Sequence, residues 1–208
     1  MQDNDPIQLT VAQSGQAGEV LARAFHEDPL YVLVMPEEGK RAKVLAWLFD
    51  KVAHYARLYG QAHTTPGLEG VACWLPPGHA ELTLGRLVRS GLAATPLKLG
   101  LTGSLRFNTY MNYAEELHQR HAPKSHWYLW VVGVDPASQG RGIGSRLLEP
   151  VLARASADGT ACYLETGVER NIPFYEKHGF RVVGEGRVPG LEVPVWALRR
   201  EAPGPAGG

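Results

Sequence analysis

Six residues, Gln139-Gly140-Arg141-Gly142-Ile143-Gly144, set three glycines in alternation directly ahead of an apolar-periodic stretch, SRLLEPVLARA. Bare backbone at the mouth of a helix suits an anion. The first N–H groups of a helix have no intrahelical partner and sit at the positive end of the macrodipole, and glycine removes the side chains that would hold a phosphate away. The same residues also make a tight strand-to-helix turn with no ligand. Two nucleotide-binding motifs do not fit. A P-loop needs a second glycine and a lysine at a spacing that Gly140 lacks, and the dinucleotide fingerprint meets Ser145 or Leu147 where it needs glycine or alanine. A second candidate is Glu165, in the strand-like run ACYLETG. A carboxylate among residues that should be buried needs a partner or a function. Desolvation raises its pKa, which suits a general base; a structural ion pair is the other reading.

The elements that position these residues follow from periodicity. Ile7 to Val11 reads as a short strand, and Gly15 to His26 as a helix ended by Asp28-Pro29. Glu38 to Tyr59 is a longer helix with Gly60 as its stop. Strands follow at Gln61 to Thr65 and Val71 to Leu75, with Pro66-Gly67 between them. Glu81 to Gln119 reads as two or three helices broken near Gly91, Pro96 and Gly103; Leu84, Leu87 and Val88 share one face, and Tyr110, Tyr113, Leu117 and His121 share another. HWYLWVVGV, His126 to Val134, is a continuous apolar run rich in aromatic and β-branched residues and reads as a central strand. The glycine turn and a helix to Ala157 come next, with Pro150 inside it, then the buried strand Ala161 to Gly167. Asn171 to Phe180 is a short helix with Gly179 as its stop, and a hairpin-like pair closes the chain, Pro194 placing the last strand at an edge or a bulge. The order predicts an α/β (α+β) fold with one mixed sheet, in which strand–glycine turn–helix–strand is a parallel crossover.

Composition bounds the partners. The 208 residues are 44% hydrophobic and 20% charged, which suits a single domain over residues 1–200, with EAPGPAGG (201–208) as a disordered tail. Lys+Arg and Asp+Glu are both 21, so no basic excess argues for nucleic acid or an anionic membrane. Cys73 and Cys162 lie in apolar runs and read as buried thiols; no metal-ligand spacing occurs, so no metal is expected. The polar N-terminus and the lack of a long apolar run make the cytoplasm the expected location.

The segment after WVVGVDP resembles motif A of the GNAT superfamily of N-acetyltransferases, Q/R-x-x-G-x-G/A, here Gln139, Gly142 and Gly144. The likeness extends to Asn171 and Tyr175 in ERNIPFYEKHGF, with the terminal Gly179-Phe180, and it is closest, over His126 to Arg200, to puromycin N-acetyltransferase-like small-amine enzymes. FHEDP and VACWLPPG match that subgroup more weakly. The resemblance implies a mostly antiparallel twisted sheet with helices on both faces, and acetyl-CoA as cosubstrate. It implies that the backbone of Gly140 to Ser145, including Arg141 and Ile143, rings the CoA pyrophosphate. Val132, Gly133 and Val134 would pair with the pantetheine arm like an added strand, Val132 N–H serving as oxyanion donor. Asn171 would bond the same arm, although it reads equally as a helix cap. Tyr175 would be the general acid toward the leaving thiolate, since a phenol carries its proton at neutral pH. Glu27 and Asp28 fall in the region that walls the acceptor site, and His126 reads as structural.

The expected activity is direct acetyl transfer to a primary amine of a small molecule, by a monomer or homodimer, because no cysteine lies in a nucleophile motif. Transfer to a protein or peptide amine, or a non-catalytic acyl-CoA sensor, are the alternatives.

Overall fold

The computed structural model describes residues 5–202. Among them, β1 (Ile7–Gln8), β2 (Gln61–Thr64), β3 (Gly70–Leu75), β4 (His126–Val134), β5 (Ala161–Thr166), β6 (Arg181–Arg187) and β7 (Pro194–Arg200) form one sheet in the order β1-β2-β3-β4-β5-β7-β6. Every neighbouring pair is antiparallel except β4 and β5. The helices are α1 (Ser14–Ala24), α2 (Pro29–Val34), α3 (Glu38–Tyr59), α4 (Leu84–Ser90), α5 (Thr95–His121), α6 (Ile143–Ala157) and α7 (Ile172–Glu176). None is long and apolar enough to cross a membrane.

The sheet is covered on both faces, which explains why its central strands read as unbroken apolar runs. Side chains alternate across a strand. Val71, Cys73 and Leu75 therefore pack with α1, α2, α3 and α5, while Ala72 and Trp74 pack with α6 and α7. β4 and β5 obey the same rule: Trp127, Leu129, Cys162 and Leu164 face α6, and Tyr163 faces α5. Both cysteines are buried and free. Burial pushes the Cys73 thiol up to about 12 and the Cys162 thiol up to about 11, so neither supplies a thiolate at neutral pH.

α3 and β4 have the bounds expected from periodicity; several other features differ. β1 keeps only two residues, and Val11 lies exposed in a turn. Pro29 does not merely end α1: with Asp28 as its cap it starts α2, because proline at the first helical position fits both its fixed φ and its missing N–H. Gly60 does not adopt the left-handed stop conformation (φ −148°). A Cβ there would meet the Trp74 carbonyl oxygen, so the glycine serves a close approach of β3. The break within α5 falls at Gly100 (φ 76°), whereas Gly103 stays helical and packs under the carbonyl of Val34. α4 has only two turns, and on the face that Leu84, Leu87 and Val88 share, Leu84 and Val88 are exposed. The last strand is not an edge. β7 lies between β5 and β6, and Pro194 is tolerated as its first residue. Of the tail expected at 201–208, residues 203–208 lie outside the described residues, as do residues 1–4 of the N-terminal stretch.

Candidate active site

β4 and β5 pair only from His126 to Tyr128, opposite Ala161 to Tyr163. Beyond Tyr128 the two strands part, and β4 keeps β3 on one side only. The parting coincides with a bulge: Trp74 pairs with Leu129 and Cys73 with Val131, leaving Trp130 as the extra residue. A bulge bends its strand and re-aims the side chains beyond it. Val132, Gly133 and Val134 thus pair with β3 on one side and leave the β5 side of the strand open. At Gly133 a Cβ would meet Leu21 and Ala24, so the glycine lets α1 press on the strand three residues beyond the bulge.

Two cavities open on this edge. One, of about 450 Å³, is lined by Val132 to Val134, Gln139, Gly140, Gly142 to Ser145, Arg170, Asn171 and Lys177. The other, of about 540 Å³, extends under α2, α4 and α5, with Leu48, Phe49, Leu92, Phe107, Tyr110 and Met111 among its walls, and reaches Glu165. Phe25, Asp28, Val132, Asn171 and Tyr175 line both. The cavities meet at these five side chains, where a group held in one comes against a group held in the other.

At the first cavity the glycine turn works through backbone conformation. Gly140 (φ 77°) and Gly142 (φ 74°) are left-handed, and Gly142 caps α6 with no side chain over the free N–H groups of its first turn. Gln139 Nε2 donates to the carbonyl of Val134 at 3.1 Å, tying the turn to the end of β4. Ser145 Oγ lies 3.0 Å from His178 Nε2. Arg141 does not line the cavity: its guanidinium is half-exposed and stands 3.4 Å from Glu69. The cations that do line it are Arg170 and Lys177, flanking Asn171 and Tyr175 in sequence. Neither is conspicuous in the sequence, because a lone basic residue on a short helix carries no periodic signal.

Asp28 accepts from Leu30 N–H at 2.9 Å as the cap of α2. Burial pushes its carboxyl above the usual carboxylate range, against the lowering effect of the Leu30 and Tyr31 N–H groups and Arg170. The loop that carries it is fixed by buried Arg41, which donates to the carbonyls of His26 at 2.8 Å and Met35 at 2.9 Å. Glu27 points outward, near Arg41 and His26 at 3.6 Å each, and borders only the first cavity. Tyr175 is buried, and burial together with nearby Asp28 raises its phenol well above the ordinary value, so it keeps its proton throughout the neutral range.

Glu165 lies at the inner wall of the second cavity with its side chain 7% exposed. Tyr128 Oη donates to Oε2 at 2.7 Å, and His118 Nδ1 lies 3.3 Å from Oε1. The partner left open by the sequence is therefore a histidine, not a lysine or arginine. His118 escapes a sequence-based search for site residues, although it falls four residues after Ala114 and eight after Tyr110 on the buried stripe of α5. His126, expected to be structural, lies 3.0 Å from His118, Nε2 to Nε2.

An anion-receptive helix mouth joined to a second chamber through a split sheet is the arrangement of a group-transfer enzyme with two substrates. The pattern of the Acetyltransferase (GNAT) family matches residues 98–180. An uncharacterized N-acetyltransferase of Schizosaccharomyces pombe is 29% identical over 173 residues, 79% of this chain and 69% of that protein. N-alpha-acetyltransferase RimI of Mycobacterium tuberculosis is 33% identical over 110 residues, 50% of this chain and 67% of that protein. Among solved structures, one described as histone acetyltransferase HPA2 and related acetyltransferase, from Corynebacterium glutamicum, superposes with a TM-score of 0.68 at 25% identity, covering 99% of this chain and all of that one. The chain belongs to the GNAT family of acetyltransferases and is an acyltransferase. Enzymes of this family use acetyl-CoA.

Proposed function

We propose that the enzyme transfers an acetyl group from acetyl-CoA directly to the primary amine of a small molecule with an apolar body. The observation that carries this reading is the pair of cavities meeting at Val132, Asp28, Asn171 and Tyr175. The first cavity suits CoA: free N–H groups at the mouth of α6, no side chain at Gly140 or Gly142, and the cations Arg170 and Lys177 together match a pyrophosphate. The unpaired edge of β4 suits the pantetheine arm, and Asn171 is placed to bond it. Acetyl-CoA supplies the activated thioester. Backbone N–H at Val132 serves the developing oxyanion, and Tyr175 donates toward the departing sulfur. Glu165 takes the proton that the ammonium must lose before it attacks. Both thiols are buried and protonated and leave no cysteine nucleophile, which supports direct transfer over an acetyl-enzyme.

The second cavity supports the acceptor class. Its walls are aliphatic and aromatic; of its carboxylates, Asp28 sits at the junction and Glu165 on the inner wall. Such a chamber takes an apolar body and holds its cationic end near the thioester. The subgroup likeness at Asn171 to Phe180 adds aminonucleosides as candidate acceptors. A peptide N-terminus is the second reading, favoured by the relative RimI.

The test is free-thiol release from acetyl-CoA over a panel of arylalkylamines, alkylamines, aminonucleosides, polyamines and short peptides. We expect turnover with monoamines of apolar body, at a kcat/KM at least about tenfold above polyamines, since a second charge in an apolar chamber goes unpaired. Turnover confined to peptides would replace this reading with the second one.

A further inference from the structure

We propose that His118 and Glu165 form a proton-sharing dyad that takes the acceptor amine's proton, and that His126 fixes the tautomer of His118 on which the dyad depends. This rests on the reading of Glu165 as the base. The geometry dictates where protons can sit. His126 Nδ1 lies 2.5 Å from the Pro123 carbonyl, which can only accept, so Nδ1 carries hydrogen. A neutral His126 then has a bare Nε2, which lies 3.0 Å from His118 Nε2. Hydrogen must therefore sit on His118 Nε2, leaving Nδ1 bare when that ring is neutral. That bare nitrogen faces Oε1 of Glu165 at 3.3 Å, and Oε1 has no aligned donor, while Oε2 is already served by Tyr128. The dyad is one proton short, and the ammonium of the acceptor carries one.

The remaining groups facing the dyad do not supply that proton. Tyr110 from α5, Tyr128 from β4 and Tyr163 from β5 are buried phenols, all raised well above the ordinary value chiefly by burial. Glu115, one turn earlier on α5, is exposed, and Asp28 lies at the cavity junction. Among the described residues no lysine or arginine pairs with Glu165. Burial and the neighbouring His118 hold His126 below the ordinary imidazole range, opposed by its bond to Pro123, which agrees with a neutral resting ring.

The transfer balances without other reactants. An N–H bond of the substrate ammonium breaks and an O–H bond forms on Glu165. That proton crosses to Nδ1 of His118, which becomes an imidazolium beside the Glu165 carboxylate, and it leaves by way of Glu165 to water once the acetylated product has left the cavity. His126 keeps its Nδ1 hydrogen on the Pro123 carbonyl throughout, so no tautomer has to be reset. His118 and His126 are positioning residues in this scheme, because they act through Glu165.

The test is the pH profile of kcat in dilute buffer, with a turned-over amine saturating. His118→Phe keeps a ring against Tyr128 and Tyr163 (centroids 4.7 Å away) but holds no proton. We expect kcat at neutral pH to fall about tenfold, the acid limb to move to lower pH, because a lone carboxylate holds its proton less tightly than the pair, and acetyl-CoA Kd to stay unchanged. Glu165→Gln should lose about 10²-fold. An unchanged profile in His118→Phe beside an impaired Glu165→Gln overturns the dyad and leaves the base in place; an unimpaired Glu165→Gln overturns the base. Should His118→Phe not fold, His118→Gln is measured in its stead, and His126→Phe supplies an independent reading: with no acceptor left to hold the His118 tautomer its acid limb should also move to lower pH, and an unchanged profile overturns the role of His126.

Discussion

Tyr175 sits in contact with Phe174 and Phe180, at centroid distances of 5.2 and 6.1 Å, so its ring is held by packing whatever its hydroxyl does. Tyr175→Phe therefore tests the hydroxyl alone. Its raised phenol pKa makes full proton transfer to a thiolate (about 8.5 when free) uphill. In the proposed reaction the hydroxyl would act by a hydrogen bond that strengthens as charge builds on sulfur. The expected loss in kcat is near the lower end of general-acid effects, about 10²-fold, with acetyl-CoA Kd and Tm unchanged; full activity would remove Tyr175 from the chemistry. At this scale the sequence is informative where a residue's role is set by its own short segment. Asn171 and Tyr175 are four apart on one turn, and Glu165 is conspicuous as a carboxylate in an apolar strand. It is uninformative where the partner comes from elsewhere in the chain: His118 meets Glu165 across 47 positions, and Arg141 is turned aside by Glu69 across 72.

On the proposed reading the glycine turn holds the CoA pyrophosphate, and its conformation and its openness can be separated. A Cβ at Gly142 meets nothing nearer than the Arg146 guanidinium at 3.8 Å, so alanine fits in space and is penalised only for φ 74°. Gly142→Ala should cost about 1–2 kcal/mol of stability and change acetyl-CoA Kd by less than about threefold. Gly142→Asp carries a similar backbone penalty and also sets a carboxylate among phosphate oxygens; its Kd should weaken at least tenfold, about 1.4 kcal/mol. Calorimetry and thermal melts on both variants decide the matter, and equal affinities would show that no phosphate lies over this turn. Element bounds are legible wherever a long pattern repeats without interruption, as in α3 and β4. They fail where a long-range neighbour decides. Gly60 is glycine because β3 passes over it, and Pro194 opens an interior strand because β6 pairs outside it, neither of which has a trace in the local sequence.

Across the whole molecule the split between β4 and β5 divides two cavities that share one boundary. α6 and the glycine turn build one side; α2, α4 and α5 build the other, the region least legible in the sequence. This division predicts that binding of the two substrates can be altered separately. Met111 lines only the acceptor side, on a partly buried turn of α5, and Met111→Trp adds bulk there without touching the residues at the junction. A lost methylene contact in an apolar pocket is worth about 1–3 kcal/mol, so the KM for the largest accepted amine should rise at least about tenfold, while a small alkylamine that leaves this end of the chamber empty should lose little. The KM for acetyl-CoA should remain within about twofold, and Tm should hold or rise, because the added ring fills open volume. If the acetyl-CoA KM rose in step with that of the amine, the two cavities would be one site, and the assignment of α5 to the acceptor would fall with it.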